Sequence, residues 1–326
     1  MRPSEIPLSN KTNGRDPEFE KINEIRVKLR DEPEEAIDYI PWLATQIDAE
    51  NPEKRKCVIK LFYEVSEEYP VHVLPVTIKL FTHLETEDNE RVVNYIFKTL
   101  NNLVEIKPSI AQNHVESLKP YILDKNSDHR NYATYLLNKL SKENQDAPLP
   151  IVERIAKEQD PELLDINTLA VIGRTTKNHP EIGNKFTDTL INLVESSEGK
   201  KRANALGVLA DISNYYTEKL GKHSDRWIDY LDDRDSHTRF NSVYILRQIS
   251  IEDSEKAVSG EDKFQELLSD EFKFTRLNAC IALAEIGSTD SLDKIRELEE
   301  NDESKKVRDV AKKAVKKLEG GNAYKL

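Results

Sequence analysis

The sequence predicts an all-α protein, an α-α superhelix of about eight to nine stacked helical pairs, and three observations predict it. An apolar stripe with helical spacing recurs along most of the chain. Helix-capping residues stand at the starts of these stripes. Only 10 glycines and 14 prolines interrupt 326 residues, of which 37% are apolar and 33% charged. That mixture suits helices that each bury one face and solvate the rest. The length exceeds one compact core, so it fits either two domains or one repeat array.

The clearest stripe starts at Arg276, with Ala279, Ala282, Leu283 and Ile286 at offsets of three, six, seven and ten. At about 100° per residue these positions trace one face of a helix. Arg202 repeats the template with Ala205, Val208, Leu209 and Ile212, and Arg239 with Ser242, Ile245, Leu246 and Ile249. Arg308 follows with Ala311, Ala314, Val315 and Leu318. Earlier copies are looser: Arg55 with Val58, Phe62 and Val65, and Arg130 with Ala133, Leu137 and Leu140. Glu90 (Val93, Phe97, Leu100) and Asp165 (Thr168, Ile172) replace the arginine. These anchors lie 32 to 40 residues apart, each leaving room for a second helical segment, such as 181–194 or 224–232. A helix pair that cannot bury its stripe alone must stack on its neighbours.

Cap signals set the helix starts. Asp16-Pro-Glu, Asn51-Pro-Glu and Asp160-Pro-Glu each put a capping side chain before a proline at the first helical position. Asp88, Ser127 and Asp235 stand at the equivalent place in other repeats. The first fifteen residues form a polar stretch with no apolar segment, so they read as a disordered tail rather than a secretory signal. The expected organisation is a tail over 1–15, the repeat array over 16–319 and a short tail over 320–326.

The run TRLNACIALAEIGS at 275–288, followed by VRDVAKKAVKKL at 307–318, resembles the short HEAT repeats also found in phycobilin lyases. The resemblance is strongest from about 198 to 318 and weaker from 51 to 197, and residues 17–50 read as one further degenerate pair. It implies a HEAT/armadillo-like solenoid whose second helices line a concave binding face. It does not imply a reaction.

Catalytic signatures are missing. There is no glycine-rich phosphate loop, Gly-x-Ser-x-Gly, His-Glu-x-x-His or Cys-x-x-Cys. The HEAT-like deoxyhypusine hydroxylases bind iron through His-Glu pairs, and none of the seven histidines here precedes a glutamate. No catalytic residue, metal ligand or cofactor is therefore expected. A net charge of −12 opposes broad binding to the phosphate backbone, which attracts cationic surfaces. The exception is the last helix, where Lys305, Lys306, Arg308, Lys312, Lys313, Lys316 and Lys317 crowd together; a solvated end cap accounts for it. No apolar run of about 18 residues exists, so no membrane span is expected. Cys57 and Cys280 cannot build a disulfide framework, which favours a reducing, cytoplasmic setting.

Two further patterns recur. Asn167, Asn204, Asn241 and Asn278 stand two residues after successive anchors at an unvarying spacing of 37. That position lies about 95° from the centre of the apolar stripe, on the flank where the next repeat packs. Asparagine is a poor helix former, so its recurrence needs a reason. Hydrogen bonding between repeats is the expected one; a peptide-gripping row of the armadillo kind is the other reading. The second helices repeat the form acid or amide, base, large apolar, any residue, acid. It appears as NKFTD at 184–188, DRWID at 225–229, DKFQE at 262–266 and DKIRE at 293–297.

Phe186, Trp227, Phe264 and Ile295 must then face the core. Asp188, Asp229, Glu266 and Glu297 point away from it, with Asp225, Asp262 and Asp293 on the same face. Lys185, Arg226, Lys263 and Lys294 are placed to pair with the acids three residues on. The function expected is a non-catalytic scaffold or adaptor that binds a protein or peptide with a basic face along this acidic stripe. An accessory protein or lyase of the phycobilin type, or a nucleic-acid-associated protein using the basic end helix, are the alternatives.

Overall fold

The computed structural model describes residues 16–31 and 37–320. The tail expected over 1–15, and residues 321–326 of the C-terminal tail, lie outside the described residues. Every regular element described is helical, as the period of the stripes requires. By contact the chain separates into two units, 1–143 and 144–326.

In the first unit three long helices carry the anchors: α1 (Pro52–Glu68), α2 (Glu90–Ile106) and α3 (Arg130–Glu143). Helix α1 packs on α2 and α2 on α3, and shorter helical segments cover their other side. The core is the predicted stripe, with Val58, Phe62, Phe97, Leu100, Ala133, Leu137 and Leu140 excluded from solvent. The Asn51 side chain caps α1 by accepting from Glu53 N–H at 2.9 Å, with Pro52 as the first helical residue. Asp16 does the same for Glu18 at 3.0 Å. At α2 the cap is Asn89 rather than Asp88, one residue later than expected. An amide at 89 starts the helix next to Glu90, whose charge suits the positive N-terminal end of the helix dipole.

The second unit repeats the plan more regularly. Its anchor helices are α4 (Ile166–Asn178), α5 (Gly199–Ser213), α6 (Ser236–Glu252), α7 (Lys273–Ile286) and α8 (Lys305–Leu318). Each packs on the next, and together they make one layer. The second layer is built of shorter pieces: Thr187–Ser196, Ser224–Asp229, Glu261–Leu267 and Leu292–Asn301. Phe186, Trp227, Phe264 and Ile295 enter the space between the layers and are buried, as their spacing required. The Trp227 indole N–H donates to Leu220 O at 2.9 Å, so its polar atom is satisfied inside the core.

Two starts differ from the sequence expectation. Asp160-Pro-Glu opens a single 3-10 turn, Pro161–Leu163, and the cap of α4 is Asp165, which accepts from Thr168 N–H at 2.8 Å. The expected helix over 181–194 is broken at Lys185 and Phe186, where Pro180–Asn184 ends and Thr187–Ser196 begins. The first piece lies hard against α4: a Cβ at Gly183 would stand 2.4 Å from the buried Thr176 side chain, so only glycine permits this approach. Helix α7 ends on Gly287 at φ 76°, and Ser288 N–H closes the turn on Leu283 O at 3.0 Å.

Candidate functional site

The anchor arginines are not surface punctuation. Arg276 reaches back to the carbonyls of Asp270 and Glu271 and forward to Asp302, with Nε to Oδ2 at 2.7 Å and Nη2 to Oδ1 at 3.0 Å. Arg239 repeats this with Asp233 O, Arg234 O and Asp270, and Arg202 with Ser197 O and Asp233. In the first unit Arg55 holds Ala49 O, Glu50 O and Glu87. Each of these acids also accepts a backbone N–H two residues on: Asn89, Asp235, Phe272 or Ser304. One carboxylate thus ties the arginine of one repeat to the start of the next.

Glu87, Asp270 and Asp302 are deeply buried, with side-chain exposures of 3% for Asp270 and 2% for Asp302, and Asp233 is half-buried. Burial alone would raise the Glu87 carboxyl, but Arg55, the Asn89 N–H and His83 outweigh it and hold the group at about 2. Asp302 is lowered for the same reason, against its burial, chiefly by Arg276 and the Ser304 N–H. The charge-assisted bonds to carboxylate in turn raise Arg55, Arg239 and Arg276. This ladder went unread in the sequence, although it left a signal: Asp233, Asp270 and Asp302 each stand six residues before Arg239, Arg276 and Arg308.

The asparagine row occupies the flank of the same helices. Asn241 donates from Nδ2 to Ala203 O on the preceding helix at 2.9 Å. Asn278 donates to Phe274 O in its own helix at 2.8 Å and accepts from Arg247 Nη1 on α6 at 3.2 Å. Both bonds that cross repeats use a backbone carbonyl or a guanidinium, not a second asparagine amide. Asn204 is half-exposed and lines a groove, described below.

The seven acids of the second layer, Asp188, Asp225, Asp229, Asp262, Glu266, Asp293 and Glu297, are all exposed. Asp188 pairs with Lys219 at 3.0 Å and Asp293 with Arg296 at 3.4 Å. The expected pairing of the intervening bases with acids three residues on is corrected by the structure. Arg226 pairs with Glu195, and Lys263 with Asp232 at 2.6 Å, while Lys294 donates to Gln265 at 3.1 Å. Each reaches to the preceding repeat, where a partner lies across the packing seam, and so ties neighbours together instead of its own helix.

A groove of about 750 Å³ lies on the other layer, between α4, α5 and α6. Its floor is small residues: Ala170, Ala203, Gly207 and Ala210. Phe240, Asn241 and Tyr244 of α6 form one wall, and Asp211, Lys177 and Lys200 add charge. None of the seven acids borders it. The resemblance had put the binding face on the second helices, whereas this groove is cut into the anchor helices, because two of them carry alanine and glycine where α6 carries Tyr244. Among the described residues no three His, Cys, Asp or Glu side chains are grouped to hold a metal ion. Among them too, no helix is long and apolar enough to cross a membrane.

A family model described as HEAT repeats matches residues 224–316; a likeness to the phycobilin lyases in particular is not shown. No curated protein matches the chain. Among solved structures, the chain is similar to a beta-catenin chain from work on a phosphorylation switch that controls the interaction between cadherin and beta-catenin. The TM-score is 0.73 at 15% identity, over 94% of this chain and 66% of that one. At that identity the likeness is one of fold. Residues 224–316 thus carry HEAT repeats, in a chain with the fold of an armadillo/HEAT-like α-solenoid.

Proposed function

We propose that the chain is a cytoplasmic, non-catalytic scaffold or adaptor that holds a protein partner, and that the partner brings a basic face to the acidic row between Asp188 and Glu297. One observation carries the reading. Among the described residues Asp225, Asp229, Asp262, Glu266 and Glu297 are exposed and make no ion pair, since the nearby bases are engaged by Glu195, Asp232 and Gln265. A single exposed pair contributes little, but like charges repeated along one layer sum to a usable potential. Solenoids of this type commonly serve as protein-binding scaffolds, and beta-catenin interacts with cadherin.

The test exchanges Asp229 and Glu266 together for lysine. Affinity for a partner recovered by pull-down and mass spectrometry is then measured across salt. The exchange should weaken binding, and wild-type affinity should fall as salt rises, because exposed charges are screened within about 8 Å at physiological ionic strength. Binding indifferent to both would reduce the row to a solvated helix face.

A further inference from the structure

We infer that the groove along α5 is a second binding site, independent of the acidic row, which takes an extended peptide segment by seating one of its lysine or arginine side chains on Asp211 with a neighbouring apolar side chain against Phe240 and Tyr244. The groove follows α5 from Lys200 to Asp211, eleven residues, or roughly 16 Å at 1.5 Å per residue. That is the reach of about five extended residues. Its volume of about 750 Å³ is of the size of ligand sites, in a trough open to solvent along one side.

The sequence creates the space. Ala203, Gly207 and Ala210 succeed one another along the groove side of α5, the two alanines themselves buried, and Ala170 lines the groove from α4. A Cβ at Gly207 would meet only the Asn241 side chain, at 3.5 Å, so the trough is open above it.

Its chemistry selects the occupant. Asp211 is half-buried, and among the described residues its carboxylate accepts no hydrogen bond and makes no ion pair. Burial raises its pKa, and Lys177 offsets this only in part, from beyond ion-pairing distance. A partly desolvated carboxylate without a partner is unfavourable until a cation supplies one. Phe240 stacks edge-on against Phe272 at 5.4 Å and lies 6.3 Å from Phe274, so the aromatic wall is braced from α7. Rigid aromatic side chains of this kind give contact area at little entropic cost. Asn204 makes no hydrogen bond among the described residues and offers a free amide to a peptide backbone. Asp235 also borders the groove but is engaged by Thr238, and Lys177 and Lys200 disfavour a uniformly basic ligand and suit a segment with one basic residue flanked by neutral ones.

Short randomised peptides displayed on phage, selected on the wild-type full chain, test the inference. The enriched peptides should carry a lysine or arginine beside an apolar residue. Gly207→Phe, which fills the trough, should abolish their binding. Asp211→Asn, which keeps shape and loses charge, should weaken it by about 10- to 100-fold, the scale of one charged hydrogen bond. Helical circular dichroism and Trp227 emission check that both variants are folded. The double exchange at Asp229 and Glu266 should leave these peptides bound, which separates this site from the acidic row. Failure to enrich any peptide, or peptides that bind folded Gly207→Phe as tightly as wild type, would overturn it, as would indifference to Asp211→Asn.

Discussion

Removing Asp302 should cost the second unit about 4 kcal/mol, most of it from the arginine left behind. Asp302 accepts two bonds from Arg276 and one from the Ser304 N–H that begins α8. Truncating one partner of a buried pair costs about 3–5 kcal/mol, because the other charge stays desolvated. Arg276 keeps Asp270 O at 2.8 Å and the rim carboxylate of Glu303 at 3.3 Å, which argues for the low end, about 3 kcal/mol. Losing the turn bond from the Ser304 N–H, just ahead of α8, adds about 1 kcal/mol. Asp302→Asn, which keeps one acceptor and that bond, should cost about half as much.

Repeat arrays can unfold in stages, so a global denaturation curve needs a local companion. Urea unfolding followed by Trp227 fluorescence and helical circular dichroism would be paired with amide hydrogen exchange in α7 and α8, where the loss should concentrate. The pair must also couple: Arg276→Ala together with Asp302→Ala should cost well under the sum of the single changes. A cost below about 1 kcal/mol for Asp302→Ala, or strict additivity of the two, would refute the view that the ladder holds the repeats together.

Three other outcomes are expected. Glu87 sits at about 2 in the folded chain against its ordinary 4.5, so its contribution is complete above 4.5 and is lost as pH falls towards 2. At 1.36 kcal/mol per unit this amounts to about 3 kcal/mol. Glu87→Gln should therefore be less stable than wild type near neutral pH, with the gap closing on acid titration; a gap that persists at pH 2 would remove the charge from the explanation. Asn241→Leu removes the inter-repeat bond to Ala203 O and should cost around 1 kcal/mol with groove-independent binding intact, read by thermal melting and an affinity measurement. Trp227→Phe should cost about 1–2 kcal/mol through lost volume and the lost indole bond to Leu220 O, which keeps its backbone donor from His223, and unchanged stability would show that the indole N–H adds nothing to the core.

The sequence by itself determined the helical class, the anchor helices and the core. A stripe at three, six, seven and ten residues is buried on one face of a helix, and proline after Asn51 or Asp16 suits the first helical position, although the same signal at Asp160 opens only a 3-10 turn. It also located Phe186, Trp227, Phe264 and Ile295 inside, because at 3.6 residues per turn the charged residues around them occupy the outer face and leave each large apolar side chain on the other. Tertiary structure alone decided what crosses between repeats. Arg276 is an arginine with many carboxylates within reach in sequence, and which one it holds depends on where the next repeat starts. Lys263 looked bound to Glu266 by helical spacing, but packing set Asp232 closer. The groove along α5 was the least legible of all. Ala170, Ala203, Gly207 and Ala210 read singly as ordinary helix residues, and they become a cavity only when two helices align these small side chains beside Tyr244 of a third. Local periodicity fixes the direction of each side chain; its neighbour belongs to another repeat, and only stacking brings the two together.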